Sequence, residues 1–184
     1  MEKAILVGLC LGSERDFEHS MEELAELAAA CELEVVGEIT QHAAAVNKAF
    51  YIGTGKVEQV FLLSEETKAD LIIFDNALSP MQLRNLQQKL HMPIMDRTTL
   101  ILEIFSKRAR TREARLQVDV AALQYALPRL VGLHDALSRQ GGGSGAMSNK
   151  GAGEKKLELD RRHIEQRLAT LRRELKQVEQ DRNV

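Results

Sequence analysis

Tryptophan is absent, and aromatic residues make up only 4% of the 184-residue chain. Single-strand RNA readers of the RRM and OB kind stack bases on aromatic platforms, so this composition speaks against them. No apolar run approaches the roughly 18–20 residues of a membrane span. The opening stretch, MEKAILVGLCLGSERD, has no small-residue cleavage site and leads into acidic residues. It reads as a first strand, not as a signal peptide. The two cysteines, Cys10 and Cys31, have no metal-ligand spacing. Buried thiols in a reducing cytoplasm are expected, not a disulfide.

Hydrophobic residues reach 44%, enough for a sizeable core, and 28% of residues are charged for a net of −2. That small net hides an asymmetry. Residues 1–96 carry 7 Lys and Arg against 16 Asp and Glu, whereas residues 97–184 carry 18 against 11. An acidic domain joined to a basic element that meets a polyanion is one reading; a solvated basic helical region is the other.

The first half alternates β-like and helix-like runs. Ala4–Leu9 and Leu71–Phe74 are continuous apolar runs, as in strands covered on both faces. Residues 16–30 have helical periodicity, residues 33–40 are rich in β formers, and residues 42–51 leave room for a further short strand. Gly53–Gly55 breaks the chain before a helical face formed by Val57, Val60, Phe61 and Ser64. Ser79-Pro80 has the N-cap and first-turn proline of a helix start. Pro93–Asp96 begins a short strand. Strands alternating with helices predict right-handed βαβ units and a parallel sheet.

From Thr98 to Leu137 the pattern is helical. Leu116, Val120, Leu123, Leu127 and Leu130 are spaced 4, 3, 4 and 3, a coiled-coil-like seam. Pro128 is expected to kink or break that helix near Leu127. Residues 140–153, QGGGSGAMSNKGAG, contain six glycines. A second helix is expected from about Glu154 onward, with Leu157, Ile164, Leu168, Leu171, Leu175 and Val178 in the seam and Arg161 at one of its positions. The fold expected is therefore α/β: a parallel-sheet subdomain over 1–106, then a long antiparallel helical hairpin over 107–184 with a glycine-rich tip at 140–153.

Tyr51-Ile52-Gly53-Thr54-Gly55-Lys56 invites a phosphate-loop reading and fails it. Phe50 stands where the first glycine belongs, and Val57 where the magnesium-binding hydroxyl belongs. A glycine turn feeding a helix is the plain reading, with weak anion binding at that helix start the other. The glycine-rich segment is no phosphate loop either. No Asp-x-x-Gly occurs, and Asn149-Lys150 is not followed two residues later by Asp. His19, His42, His91, His134 and His163 are scattered without ligand spacing, so no metal is expected. Asp75, Asp96 and Glu103 are the acids near strand ends, but the sequence supplies no nucleophile or base beside them. No catalytic site is expected in this chain.

Lys107–Arg115 packs five basic residues into nine, a solvated helix start or a phosphate-contacting patch. The glycine-rich segment is either a linker without a partner or a tip that brings bare backbone up to folded RNA.

Several segments together resemble the N-terminal region of the HflX family of ribosome-associated GTPases. They are Tyr51–Glu58 (YIGTGKVE), Ala77–Leu86 (ALSPMQLRNL), Met95–Phe105 (MDRTTLILEIF), Arg108–Ala114 (RARTREA), Tyr125–Gly132 (YALPRLVG), Leu137–Gly143 (LSRQGGG) and Gly151–Arg162 (GAGEKKLELDRR). The resemblance spans essentially the whole chain. It implies a large-ribosomal-subunit partner, and a GTP-binding domain in cis that alone would hold GTP and magnesium. It also implies a role in separating stalled ribosomes, with no cofactor in the present chain. By the same resemblance, rRNA contact falls to Arg139, Gln140, Gly141, Gly142, Gly143, Gly145, Asn149, Lys150, Gly151, Gly153 and Lys155, with Arg108, Arg110 and Arg112 as supports. The sequence departs from the family pattern at the tip, which is about three residues longer by this alignment. Lys150 replaces an arginine there, Ala152 a proline, and Lys155-Lys156 a Thr-Gln pair. Arginine grips phosphate bidentately and lysine does not. The chain ends at Val184, where the family's GTP-binding domain is expected to begin. The alternative readings are a stand-alone protein-interaction or regulatory module, and a small-molecule enzyme at the strand ends near Asp75 and Asp96.

Overall fold

A computed structural model describes the backbone of residues 1–140 and 147–182, and side chains for 1–133 and 155–182. The chain divides into two compact units, Met1–Lys107 and Arg108–Val184.

The first unit is a four-stranded, all-parallel sheet in the order β2-β1-β3-β4, built from β1 (Lys3–Cys10), β2 (Glu34–His42), β3 (Leu71–Phe74) and β4 (Ile94–Asp96). Helices α1 (Glu14–Ala30), α2 (Thr54–Thr67), α3 (Pro80–Leu90) and α4 (Arg97–Arg108) flank it. The continuous apolar runs are the two central strands. Ala4, Ile5, Leu6 and Val7 of β1 and Ile72, Ile73 and Phe74 of β3 have no exposure at all, as strands covered on both faces require. Alternate residues feed two cores. Ile5, Val7, Ile72 and Phe74 pack with α2 and α3 residues such as Val57, Val60 and Leu86. Ala4, Leu6 and Ile73 pack with Met21 and Leu24 of α1 and Leu100 and Ile104 of α4.

Close helix approach explains one glycine. A Cβ on Gly8 would lie 2.4 Å from the Met21 sulfur and 2.9 Å from the Phe17 ring. Gly8→Ala is therefore expected to cost about 1–3 kcal/mol in urea unfolding; an unchanged midpoint would show that α1 yields freely.

The Ser79-Pro80 start forms as expected. Ser79 Oγ accepts from the Gln82 N–H at 3.1 Å, and Gln82 Oε1 accepts from the Ser79 N–H at 2.9 Å. The far end of α1 is held from a distance, because Lys107 Nζ donates to the Cys31 carbonyl at 2.7 Å. Both cysteines are buried free thiols, and burial pushes the Cys31 thiol up, which makes it a poor nucleophile.

The second unit pairs α5 (Arg112–Gln140) with α6 (Met147–Arg182). Leu116, Val120, Leu168 and Leu171 form its buried centre, flanked by half-buried Leu123, Leu127, Leu175 and Val178. Leu130, Leu157 and Ile164 are half-buried and lie outside that cluster. The first turn of α5 meets the last turn of α6, where Arg182 donates to Glu113 at 2.9 Å.

Four expectations need correction. Residues 42–51 hold no strand beyond the last residue of β2; an isolated Asn47–Tyr51 bridge closes a turn instead. The helical stretch from Thr98 is two helices, because Thr111 starts α5 by accepting the Ala114 N–H on its hydroxyl at 3.0 Å. Pro128 lies inside α5, so of the expected kink or break it is the break that does not occur. Gln124, whose carbonyl loses its partner, is exposed like Pro128, so water can serve it. Finally, α6 begins at Met147, not near Glu154. Ala and Met are good helix formers, and Gly151 and Gly153 cost only about 1 kcal/mol each within a helix already propagating.

Candidate nucleic-acid interface

Doubly wound sheets take ligands beyond the carboxyl ends of their strands. Here the ends of β3 and β4 carry side chains that bond to other parts of the chain. Asp75, directly after β3, is buried, and Ser20 of α1 donates to it at 2.7 Å. Arg97, directly after β4, donates Nε to Asp75 at 3.0 Å and a second bond through Nη2. Its Nη2 also reaches the Ser20 carbonyl at 2.8 Å, and its Nη1 lies 3.3 Å from Glu23. One guanidinium thus fastens α1 to the end of β3. Asp96 is buried too, and its Oδ1 accepts the Thr99 N–H at 3.0 Å and the Thr99 hydroxyl at 2.9 Å, capping α4. Glu103 is exposed on α4. Asp75 and Asp96 are therefore engaged in holding elements together.

The segment around the glycine turn is tied down by side-chain amides where no strand ladder exists. Asn47 Oδ1 accepts the Ala49 and Phe50 N–H groups, each at 2.9 Å. Gln82 Nε2 donates to the Asn47 carbonyl at 2.8 Å, and Gln41 Oε1 accepts the Gly53 N–H at 2.8 Å. This clamp holds Tyr51 at φ +67° with its ring buried edge-on to Phe74. Burial, and then the nearby Asp75 charge, push its hydroxyl up to about 12. Gly53 caps α2, and Lys56 bonds Gln59 at 3.3 Å. The glycine turn feeds a helix, as its spacing suggested.

The exposed cations of the second unit form a different kind of surface. Arg108, Arg110, Arg112 and Arg115 are all exposed at the start of the helical pair. Arg112 lies 3.7 Å from Glu174, and Arg115 Nε donates to the Ala109 carbonyl at 3.3 Å. Arg108 and Arg110 have no ion-pair or hydrogen-bond partner among the described residues. Of the residues expected at the tip, Gly141, Gly142, Gly143 and Gly145 lie outside the described residues. Arg139 and Gln140 close α5, and Asn149, Lys150, Gly151 and Gly153 fall in the first turns of α6, their side chains likewise outside the description. Lys155 and Lys156 are exposed.

Arg161, expected at a seam position, is half-buried and neutralised along α6. It donates to Glu158 at 2.8 and 2.9 Å, and Arg162 reaches the same carboxylate at 3.0 Å. Hydrogen bonds from Arg161 and then Arg162 hold the Glu158 carboxyl down to about 2. A group depressed in this way supports the folded helix above its ordinary range and stops doing so as pH falls through its lowered value. In an NMR titration Glu158 is expected to protonate near pH 2, and to return toward the ordinary 4.5 in an Arg161→Ala, Arg162→Ala chain. An ordinary midpoint in the unaltered chain would contradict the network.

Residues 18–106 match the family model for the GTP-binding GTPase N-terminal region, and residues 108–184 that for its middle region. A GTPase HflX of Caldanaerobacter subterraneus subsp. tengcongensis is 48% identical over 183 residues, covering 100% of this chain and 42% of the relative. The chain belongs to the HflX GTPase family. An HflX of Alkalihalophilus pseudofirmus is also 48% identical, over 97% of this chain and 42% of its own length. The chain thus spans less than half the length of these HflX relatives. A crystal structure of a GTP-binding protein from Sulfolobus solfataricus in complex with GDP shares the fold, with a TM-score of 0.67 at 22% identity over 97% of this chain and 46% of the other. Two features escaped the sequence reading of this HflX region, the Arg97 fastening and the Asn47 clamp. The first had a signal, an arginine directly after a predicted strand; the second had none.

Proposed function

We propose that this chain is the ribosome-binding region of an HflX-like GTPase, acting in the cytoplasm in ribosome splitting or rescue. Its α5–α6 pair carries the segment between them to large-subunit rRNA, and its role is binding, not catalysis. GTP and magnesium are handled by a GTP-binding domain in cis. The observation that carries this reading is the exposed arginine set, with Arg108 and Arg110 unpaired among the described residues, at one end of two long helices whose other end holds the glycine-rich segment. At 1.5 Å per residue the 29-residue α5 is about 43 Å long, enough to place a tip far from its base. Family membership supports the GTPase setting. The acidic balance of residues 1–96 is repelled by RNA phosphate, so RNA contact falls to the basic part.

Each phosphate neutralised by a cation steepens the fall of affinity with salt. Replacing Arg108, Arg110 and Arg112 with Gln is therefore expected to lower the slope of log affinity against log salt by about 2–3 for binding to 50S subunits. An unchanged slope would remove these arginines from the interface.

A further inference from the structure

β2 is the edge strand, and among the described residues it pairs only with β1. The Ala43 N–H bonds the Cys10 carbonyl on β1, so by the alternation of a strand the N–H groups of Glu38, Thr40 and His42 point to the open side. Beside this edge, α1 and β2 enclose a groove of about 460 Å³. Its floor is apolar, from Phe17, Met21 and Ala25, one stripe of α1 at four-residue spacing. Its rim is acidic: Glu14, Glu18 and Glu22, a second four-residue stripe, face Glu38 from β2, and all four are exposed. His42 at the end of β2 lies 3.8 Å from Glu14 and edge-on to Phe17, so α1 runs back along the strand.

We propose that this edge and groove form a docking site for an extended basic protein segment that adds as a strand to β2 with Lys or Arg at alternate positions. Residues four apart on a helix are about 6 Å apart along its axis, and alternate residues of a strand about 6.6 Å, so one cation can meet each glutamate in turn. Open backbone groups supply the affinity and the acidic row supplies the choice of partner. A second copy of the chain is the wrong occupant, because edge-to-edge pairing brings two acidic rims together, and the antiparallel register centred on Val36 sets Glu34 opposite Glu38. Acidic side chains also protect a bare edge from self-pairing, which accounts for Glu34 and Glu38. It does not account for a row of acids on α1 set beside an apolar floor. This site is independent of the ribosomal reading above.

The test is NMR titration of the 184-residue chain with a capped seven-residue peptide alternating Lys and Val. Two controls run beside it, one with Glu in place of Lys and one with Pro in place of Val. The Lys-Val peptide is expected to shift the Glu38, Thr40 and His42 amides. The Pro peptide keeps the charge but lacks the N–H groups of a strand, and should bind about tenfold more weakly. The Glu peptide should not bind. A chain with Glu18→Gln, Glu22→Gln and Glu38→Gln should lose about tenfold in affinity, as should Thr40→Pro, which removes an outward N–H from the edge. The triple substitution keeps the test decisive if Thr40→Pro unfolds. Equal binding of the Lys-Val and Pro peptides would overturn the proposal, reducing it to plain charge attraction. So would shifts confined to amides away from β2, no binding at all, or sedimentation as a dimer that Thr40→Pro disperses.

Discussion

Removing residues 141–153 is expected to weaken association with 50S subunits by about tenfold or more at low salt, while leaving the α/β unit folded. The argument rests on what each part of the second unit can offer. Along α6, Arg161 and Arg162 are already committed to Glu158, and Arg182 to Glu113, so they bring little free charge to RNA. The helices pack on each other through Leu116, Val120, Leu168 and Leu171, and their seam is not a ligand surface. What remains is the exposed arginine group near Arg108–Arg115, the glycine-rich segment with its neighbouring cations, and the exposed Arg167, Arg172, Arg173 and Lys176 of α6, which the deletion leaves in place. Glycines let backbone approach another surface more closely than any other residue. Where that approach adds contacts, removing the segment costs more than the loss of the charges alone. A chain in which Lys150, Lys155 and Lys156 are changed to Gln, with every glycine kept, separates the two contributions. It is expected to bind more weakly with a shallower salt dependence, yet more tightly than the deletion. Equal affinity for the deleted and intact chains would remove this segment from the interface.

The second large effect is one of stability, at Arg97. Its guanidinium is 22% exposed and the Asp75 side chain 5%, so the pair is largely out of water. Removing one partner from such a pair leaves a buried charge without compensation and typically costs about 3–5 kcal/mol. Arg97→Met is expected to destabilise the first unit by about 3 kcal/mol, read from urea unfolding and from faster hydrogen exchange of the Phe74 and Asp75 amides. The double variant Arg97→Met with Asp75→Asn should be less destabilised than Arg97→Met alone, because the neutral amide no longer needs a counter-charge and keeps a Ser20 partner. A double variant as unstable as the sum of its parts would mean that the pair contributes through packing alone. The same result bears on function. Loss of stability on its removal would mark Arg97 as a structural residue.

Legibility followed the range of the interactions. Ala4–Leu9 and Leu71–Phe74 could be read as central strands because burial on both faces writes itself as an unbroken apolar run. Ser79-Pro80 could be read because a capping box is local, contained within four residues. The Leu116 and Leu168 seams were visible as 3–4 spacing. The place of Arg97 directly after a predicted strand was visible, but its partners Ser20 and Asp75 lie 77 and 22 residues away and could not be read. The Asn47 clamp was missed for a related reason. Side-chain amides there replace a strand ladder, and asparagine and glutamine carry no pattern that distinguishes a clamp from a solvated loop. At Pro128 the helix does not break, and Gln124, whose carbonyl loses its partner, is exposed to water. For the interface, five cations in nine residues implied only that some point outward; that Arg110 lies between α4 and α5, with Arg108 and Arg112 exposed at the helix ends, was not legible.

The measurement that bears most directly on the central claim is co-sedimentation of the 184-residue chain with purified 50S and 30S subunits at two salt concentrations. The account predicts pelleting with 50S and not with 30S, falling steeply between the lower and the higher salt. Failure to pellet with 50S at low salt, or equal pelleting with both subunits at both concentrations, would contradict it.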